Sequence, residues 1–297
     1  MASIGFQGKA GRHAALDGPA LLDGAMGTAL LARGLPAGAL PEEWLRERPE
    51  VIADVHASHA EAGARVLLTC TFNCAAPRLE ARVDPARLEA LCHWAERLAR
   101  SASPDALVAG ALGPTGLAPP LGPGASRAEL TARYARPLAA LAGAGVDLVW
   151  LESQHHLGEA LLALAAARAT GLPAVVTFTF EERGGRLVAP GGRDPVAWLA
   201  AVQAGGAAAT GVNCVLPGPA LDLLAAEAAA RIRIPLVVKP SPGLPGAVLE
   251  PEPFARALGP VLAAGVRVVG GCCGAGAAHL GALGVALGRA AWRDQAG

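Results

Sequence analysis

Val266-Arg267-Val268-Val269-Gly270-Gly271-Cys272-Cys273-Gly274 is an apolar run that passes directly into glycines and two adjacent cysteines. It reads as a short buried strand with both thiols at its end. Glycine accepts φ > 0 and lets backbone or ligand approach closely, so the two sulfurs can turn toward one point. Thr210-Gly211-Val212-Asn213-Cys214 repeats the form, an apolar run ending on a cysteine. Three thiolates from two strand ends make a soft donor set of the kind that suits Zn²⁺, with one coordination position left over. The competing reading is three small buried residues, because unpaired cysteine is among the most buried residue types and no CxxC pair is present.

Working outward, seven similar apolar runs precede this one, at 20–22, 64–71, 106–110, 147–152, 174–180, 208–214 and 234–239, with the eighth at 266–271. Helix-like segments lie between them. One is expected over 42–61, another opens at Asp84-Pro85, and others cover 126–144, 157–169 and 194–204. Ser126-Arg127-Ala128-Glu129 has the form of a capping box, and Asp194-Pro195 that of an N-cap followed by proline at the first helical position. The strands are apolar throughout, as strands buried on both faces should be. Eight strand–helix units predict an α/β protein, a single (β/α)₈ TIM barrel, with a doubly wound sheet as the second choice. One domain over 1–297 is expected, its barrel core at about 18–291.

The 297 residues are 53% hydrophobic and 17% charged, enough apolar material for a large core. Net charge is zero, so neither a nucleic-acid footprint nor an anionic-membrane surface is indicated. Six cysteines are too few for a disulfide scaffold in a chain of this length. The first residues carry Lys9, Arg12 and Asp17 without an apolar h-region, and every long apolar run is broken by Gly, Pro or charge. A cytoplasmic location is expected.

In such a barrel the active site lies at the C-terminal ends of the strands. The first delivers Asp23, Gly24 and Thr28 there, and the second Thr69, Cys70, Thr71 and Asn73. The fourth delivers Glu152 and Ser153, then His155 and His156; the sixth Asn213 and Cys214; the seventh Lys239 and Ser241; the eighth Cys272 and Cys273. All three suspect cysteines fall on one rim. Three thiolates on zinc would take a substrate thiol as the fourth sulfur and hold it deprotonated near neutral pH. Four sulfurs make the metal a poor Lewis acid toward water, whereas the bound thiolate stays electron-rich and can attack a methyl group. Asp23 and Glu152 can accept from a substrate ammonium, and the Gly24 and Ala25 amides can donate to a carboxylate, which together suit a thiol amino acid. Thr71 and Asn213 are further substrate-binding candidates. The alternatives stay open: Asp23 as a turn residue, Glu152 as an ion-pair partner, and His155 and His156 as ordinary loop residues. Cys92 reads as a packing residue.

Leu22-Asp23-Gly24-Ala25-Met26-Gly27-Thr28, Gly211-Val212-Asn213-Cys214 and Gly270-Gly271-Cys272-Cys273-Gly274 together resemble the homocysteine S-methyltransferase family. Thr71-Phe72-Asn73, Gly110–Pro114, Leu151-Glu152-Ser153 and Lys239–Pro245 add to the resemblance, which runs from about 20 to 283. It implies a (β/α)₈ barrel holding Zn²⁺ through Cys214, Cys272 and Cys273, with homocysteine thiolate as fourth ligand. It also implies that Glu152 and the Asp23-Gly24-Ala25 turn hold the amino acid end. The implied reaction methylates homocysteine to methionine from a small donor, S-methylmethionine or S-adenosylmethionine in preference to betaine, for whose cage aromatic residues are scarce. Alternatives are another thiol acceptor, the reverse demethylation, or a homocysteine-binding subunit of a multi-protein cobalamin-dependent methionine synthase. No folate, cobalamin or reactivation module is expected, so the methyl group comes from a free donor or a separate methyl-donor protein; a homo-oligomer is also open. Cys70 departs from the family, which usually has Asn or Asp there, and Ala111-Leu112 replaces the commoner Ser-Ile.

Overall fold

The computed structural model describes residues 16, 18–118, 124–244 and 246–295. Lys9, Arg12 and Asp17, and Pro245 of the Lys239–Pro245 motif, lie outside the described residues. Eight strands form one parallel sheet: β1 (Ala20–Leu21), β2 (Val66–Leu68), β3 (Leu107–Leu112), β4 (Leu148–Gln154), β5 (Ala174–Phe178), β6 (Ala209–Asn213), β7 (Leu236–Lys239) and β8 (Val268–Val269). Each pairs with its successor, and β8 pairs with β1 at Ala20↔Val268. A Leu22↔Val66 bridge closes the ring, with Asp23 N–H donating to Val66 O at 3.1 Å and Arg65 N–H to Leu21 O at 2.7 Å. The closed ring is the predicted barrel; a doubly wound sheet would leave two open edges.

Side chains alternate across the strands and so build two cores. Leu107, Ala109 and Ala111 of β3 point inward and meet Val66, Leu68, Trp150, Val175, Val237 and Val268 in the barrel interior. Val108 and Leu112 point outward with Val149, Leu151, Val176 and Val212 into the larger layer beneath the helices. Such two-sided burial explains why the strands are legible as unbroken apolar runs.

The boundaries depart from the sequence reading at three places. The helix expected over 42–61 is broken into a turn of 3-10 helix at Pro41–Glu43 and helices Trp44–Glu47 and Pro49–Glu61. Arg48 sits at φ −141°, ψ 52° because Pro49 disfavours the helical region for the residue before it. Strand β8 is shorter than expected, since past Val269 the chain bends over the rim. Two small hairpins were not anticipated, Glu181–Arg183 with Arg186–Val188, and Gly243–Leu244 with Ala247–Val248. The predicted caps are present: Ser126 Oγ accepts from Glu129 N–H at 3.1 Å and Asp194 Oδ1 from Val196 N–H at 2.9 Å. Among the described residues no helix is long and apolar enough to cross a membrane.

His56 and His59 share the inner face of helix Pro49–Glu61 and are both buried. Neither ring nitrogen of His56 has a partner among the described residues, and burial, partly offset by Asp23, pulls its pKa down to about 4. Burial lowers His59 as well. The unfolded chain therefore takes up protons near pH 6.5, where the folded chain does not. Stability contributed by the neutral imidazoles is present above about pH 6.5 and is lost as pH falls toward 4. For His56 alone the loss is on the order of 3 kcal/mol. Denaturant titrations at several pH values check this: a His56→Leu variant should show a shallower decline between pH 6.5 and 4 than the parent.

Candidate metal centre and ligand cavity

The chain leaves β8 through Gly270 N–H to Val238 O (3.1 Å), Gly271 N–H to Asp23 O (3.1 Å) and Cys272 N–H to Pro240 O (2.9 Å). These bonds press the segment against β1 and β7, and glycine is required for that proximity. A Cβ on Gly270 would lie 2.7 Å from Leu22 Cβ and 2.9 Å from Asp23 O, and one on Gly271 would overlap Ala275. On β6, Cys214 follows Asn213 in a left-handed conformation, φ 55°, fixed by its N–H to Lys239 O at 3.1 Å. A non-glycine residue held there stores strain, which is common where a side chain is aimed for function.

The result is one cluster of three sulfurs. Cys214, Cys272 and Cys273 offer donor atoms all within 4.8 Å of one another. Cys214 and Cys272 are joined as a disulfide, Cα atoms 5.5 Å apart, and Cys273 Sγ lies 3.8 Å from Cys214 Sγ. Thiolates about 2.3 Å from a tetrahedral zinc ion would lie about 3.8 Å apart, so the donor type and spacing fit that metal once the pair is reduced. Burial, reinforced by Glu152 and only partly offset by Lys239, pushes the Cys273 thiol up, so without a metal ion it holds its proton.

Asn213 ties the cluster to β4. Its Nδ2 donates to Ser153 Oγ at 2.6 Å and approaches Cys272 Sγ at 3.8 Å, while its Oδ1 accepts from Ser153 N–H at 3.0 Å. Ser153 is itself left-handed, φ 56°, in a register shift of β4 between Leu151 and Gln154. The bulge turns Glu152 into the barrel mouth. There Lys239, 2% exposed, sits between two carboxylates, its Nζ 3.0 Å from Asp23 Oδ1 and 3.1 Å from Glu152 Oε1, above the ring of Trp150. Asp23 Oδ2 accepts from Leu68 N–H at 2.8 Å. Burial alone would lower the Lys239 pKa, but the two carboxylates outweigh it and hold it above its ordinary value. Above this triad a cavity of about 270 Å³ is lined by all three cysteines, Asp23, Glu152, Lys239, the Gly24–Thr28 turn, and Glu42, Cys70, Phe72 and Asn73.

The structure brings the cysteine trio together at the ends of β6 and β8, beside an acidic cavity in a closed barrel, and comparison with known proteins gives the family. The family model described as homocysteine S-methyltransferase matches residues 20–287. The chain belongs to this family of methyltransferases. Relatives include the Escherichia coli homocysteine S-methyltransferase, 32% identical with 89% of this chain and 93% of that protein covered. The methionine synthase of Mycobacterium tuberculosis is 30% identical over 87% of this chain. The chain spans about a quarter of the length of the mycobacterial methionine synthases it matches, 24% in each. Among solved structures, the metallated form of the Escherichia coli homocysteine methyltransferase MmuM superimposes with a TM-score of 0.77 at 29% identity, covering 90% of this chain and 96% of that one.

Within the family frame, several sequence-nominated residues lie elsewhere than expected. Thr71 is fully buried and does not line the cavity; its Oγ1 donates to Ala111 O at 2.8 Å and meets Thr69 Oγ1 at 2.6 Å. Asn213 lies behind Cys272 and acts on Ser153 and the sulfur, not on the cavity. Ala25 N–H donates to Ala275 O at 3.1 Å, so that amide is committed within the chain. His156 caps helix Leu157–Ala169, its Nδ1 accepting from Glu159 N–H at 3.1 Å, and neither it nor His155 lines the cavity. Cys92 is fully buried, as a packing residue should be. Burial and Glu42 push Cys70 up, and a hydrogen bond with Cys92, reinforced by burial, does the same for Cys74, so both stay as thiols.

Two residues of the site escaped the sequence reading. Lys239 was noted at its strand end without a role, although one lysine amid arginines on the rim is a usable signal. Glu42 belongs to the β1–β2 connection and reads as one more polar residue in Pro41-Glu42-Glu43-Trp44-Leu45-Arg46; nothing in that pattern marks it as 1% exposed.

Proposed function

We propose that the chain is a zinc-dependent S-methyltransferase that moves a methyl group from a small onium donor to the sulfur of homocysteine, giving methionine. The observation carrying this reading is the convergence of Cys214, Cys272 and Cys273 at the mouth of a cavity walled by carboxylates. Zinc held by these three residues would supply the Lewis acidity that keeps the acceptor thiol deprotonated near neutral pH. The chain's own residues do the rest. Asn213 offers an N–H to the Cys272 sulfur, which spreads the negative charge of a thiolate cluster and fixes its direction. Glu152, 15% exposed at its side chain and bound to Lys239 through one oxygen, is the acceptor for the homocysteine ammonium. Asp23 gives both oxygens to Lys239 and Leu68, so its part is to position Lys239 and the Gly24-Ala25 turn beside the amino acid end. Met26, Leu68, Phe72 and Ala111 supply the apolar wall that keeps water from the electrophile.

With S-methylmethionine, the carbon–sulfur bond breaks with its electron pair remaining on the donor sulfur. A new carbon–sulfur bond forms at homocysteine, and the thiol proton leaves to solvent, so both products are methionine. Betaine is a poorer candidate because Phe72 is the one aromatic among the described residues lining the cavity, too few to cage a quaternary ammonium. The need for reduced thiols suits a reducing compartment such as the cytoplasm.

Purified, reduced protein supplied with homocysteine and a panel of donors tests the reading by product mass. Methionine formed from S-methylmethionine or S-adenosylmethionine is expected; product from none of the small donors contradicts it. The match to methionine synthases supports a second reading, an acceptor module served by a methyl-cobalamin protein, which predicts activity restored only by that partner.

A further inference from the structure

We propose that Glu42 and Asn73 form a donor-side subsite that takes the α-ammonium group of an amino-acid sulfonium, across the cavity from the sulfur cluster. The inference rests on the methyl-transfer reading above and names how its donor is recognised.

Glu42 is 1% exposed and yet lines the cavity. Its Oε1 accepts from Asn73 N–H at 2.7 Å and its Oε2 from Asn73 Nδ2 at 2.8 Å. Unlike Asp23 and Glu152, it has no cation in contact among the described residues; the positive charge it feels is that of Arg78, outside hydrogen-bond reach. Burial accordingly raises its pKa. A carboxylate withdrawn from water without a cationic partner is costly, and a ligand that brings the charge removes that cost. The second observation is independent. Asn73 is 4% exposed and lines the same cavity, and with its Nδ2 committed to Glu42, its buried Oδ1 has no partner among the described residues. One unpaired acceptor and one uncompensated carboxylate, side by side, ask for a cation that carries N–H groups. A primary ammonium meets both demands, whereas a sulfonium or quaternary nitrogen has no N–H to give.

Topology separates this subsite from the acceptor's. Asn73 follows β2; in an eight-strand ring β2 stands opposite β6, which leads into Cys214, and two positions from β8, which leads into Cys272 and Cys273. Glu152 lies at the end of β4 and is joined to the sulfur cluster through Ser153 and Asn213. A donor anchored at Glu42 and Asn73 thus faces the acceptor sulfur across the cavity, as methyl transfer requires.

The test compares S-methylmethionine with trimethylsulfonium, which has the methyl electrophile and no ammonium, in the reduced parent and in Glu42→Gln. The preference for S-methylmethionine, as a ratio of kcat/KM values, should fall by about ten- to a hundredfold in the variant. Calorimetric binding of S-methylmethionine should weaken by a like factor, with a smaller change in KM for homocysteine, and Glu42→Asp should recover part of the preference. An equal loss with both donors, or a loss confined to homocysteine, overturns the proposal and makes Glu42 a structural or acceptor-side residue. If the parent methylates homocysteine from neither donor, the methyl-transfer reading fails, while calorimetry of S-methylmethionine against trimethylsulfonium on parent and variant still decides the subsite. Should Glu42→Gln melt early, the same measurements on Glu42→Asp stand in its place, a lowered preference supporting the subsite and an unchanged one opposing it.

Discussion

Lys239→Met is expected to destabilise the folded chain by about 3–5 kcal/mol, the largest effect of any single substitution in the barrel mouth. Lys239 Nζ is the common partner of Asp23 and Glu152, at 3.0 and 3.1 Å, and both the lysine and Asp23 are buried. Removing it leaves two carboxylates facing each other over the apolar ring of Trp150 with no counter-charge. Methionine matches the lysine stem in length, so packing is kept and the electrostatic loss is isolated. Equilibrium urea denaturation measures the change, and Lys239→Met combined with Asp23→Asn should recover part of it by removing one orphaned charge. The pH dependence gives a second signature. The folded-state pKa of Lys239 is raised above the ordinary 10.5, so its stabilisation is fully present below about pH 10.5 and is lost as pH rises through the raised value. The parent should lose stability in that alkaline range and the variant should not follow it. Identical stability of parent and variant at pH 8 would show that the triad is spread apart and solvated.

The barrel was legible because its strands are buried on both faces: 148–151 and 174–176 are uninterrupted apolar runs, the pattern a doubly buried strand leaves. The cysteine trio was legible for a different reason. Once the eighth strand is placed, Cys272 and Cys273 must fall on the same rim as Cys214, whatever the loops do. Residues nominated only for being polar and near a strand end fared less evenly. Thr71 and Asn213 turn away from the cavity because their hydrogen bonds go to Ala111 and Ser153, and side-chain direction past the last strand residue depends on contacts between strands distant in sequence. The bulge that aims Glu152 and the left-handed turn at Cys214 are likewise tertiary features, held by Asn213 and by the Lys239 carbonyl. Glu42 was invisible for the same reason: its hydrogen-bond partner is Asn73, 31 positions away.

Loss of the metal on replacing a cysteine of the trio is the other large expected effect. In the proposed zinc site each thiolate would be one of three protein donors, and a missing first ligand should cost more than the roughly ten- to hundredfold in affinity typical of outer partners. Cys272→Ala should therefore bind zinc at least about a hundredfold more weakly, and methionine formation should fall with it. Cys92→Ala removes a buried thiol outside the cavity and serves as the control. Oxidation that closes the Cys214–Cys272 disulfide should release the metal from the parent, and a thiol reductant should restore binding.

The most direct measurement is the zinc content of the reduced, purified chain by elemental analysis, set beside that of Cys272→Ala and Cys92→Ala. About one zinc per chain in the parent and the Cys92 variant, with little in Cys272→Ala, is the predicted result. Equal zinc in the parent and Cys272→Ala would contradict the assignment of Cys214, Cys272 and Cys273 as the metal site.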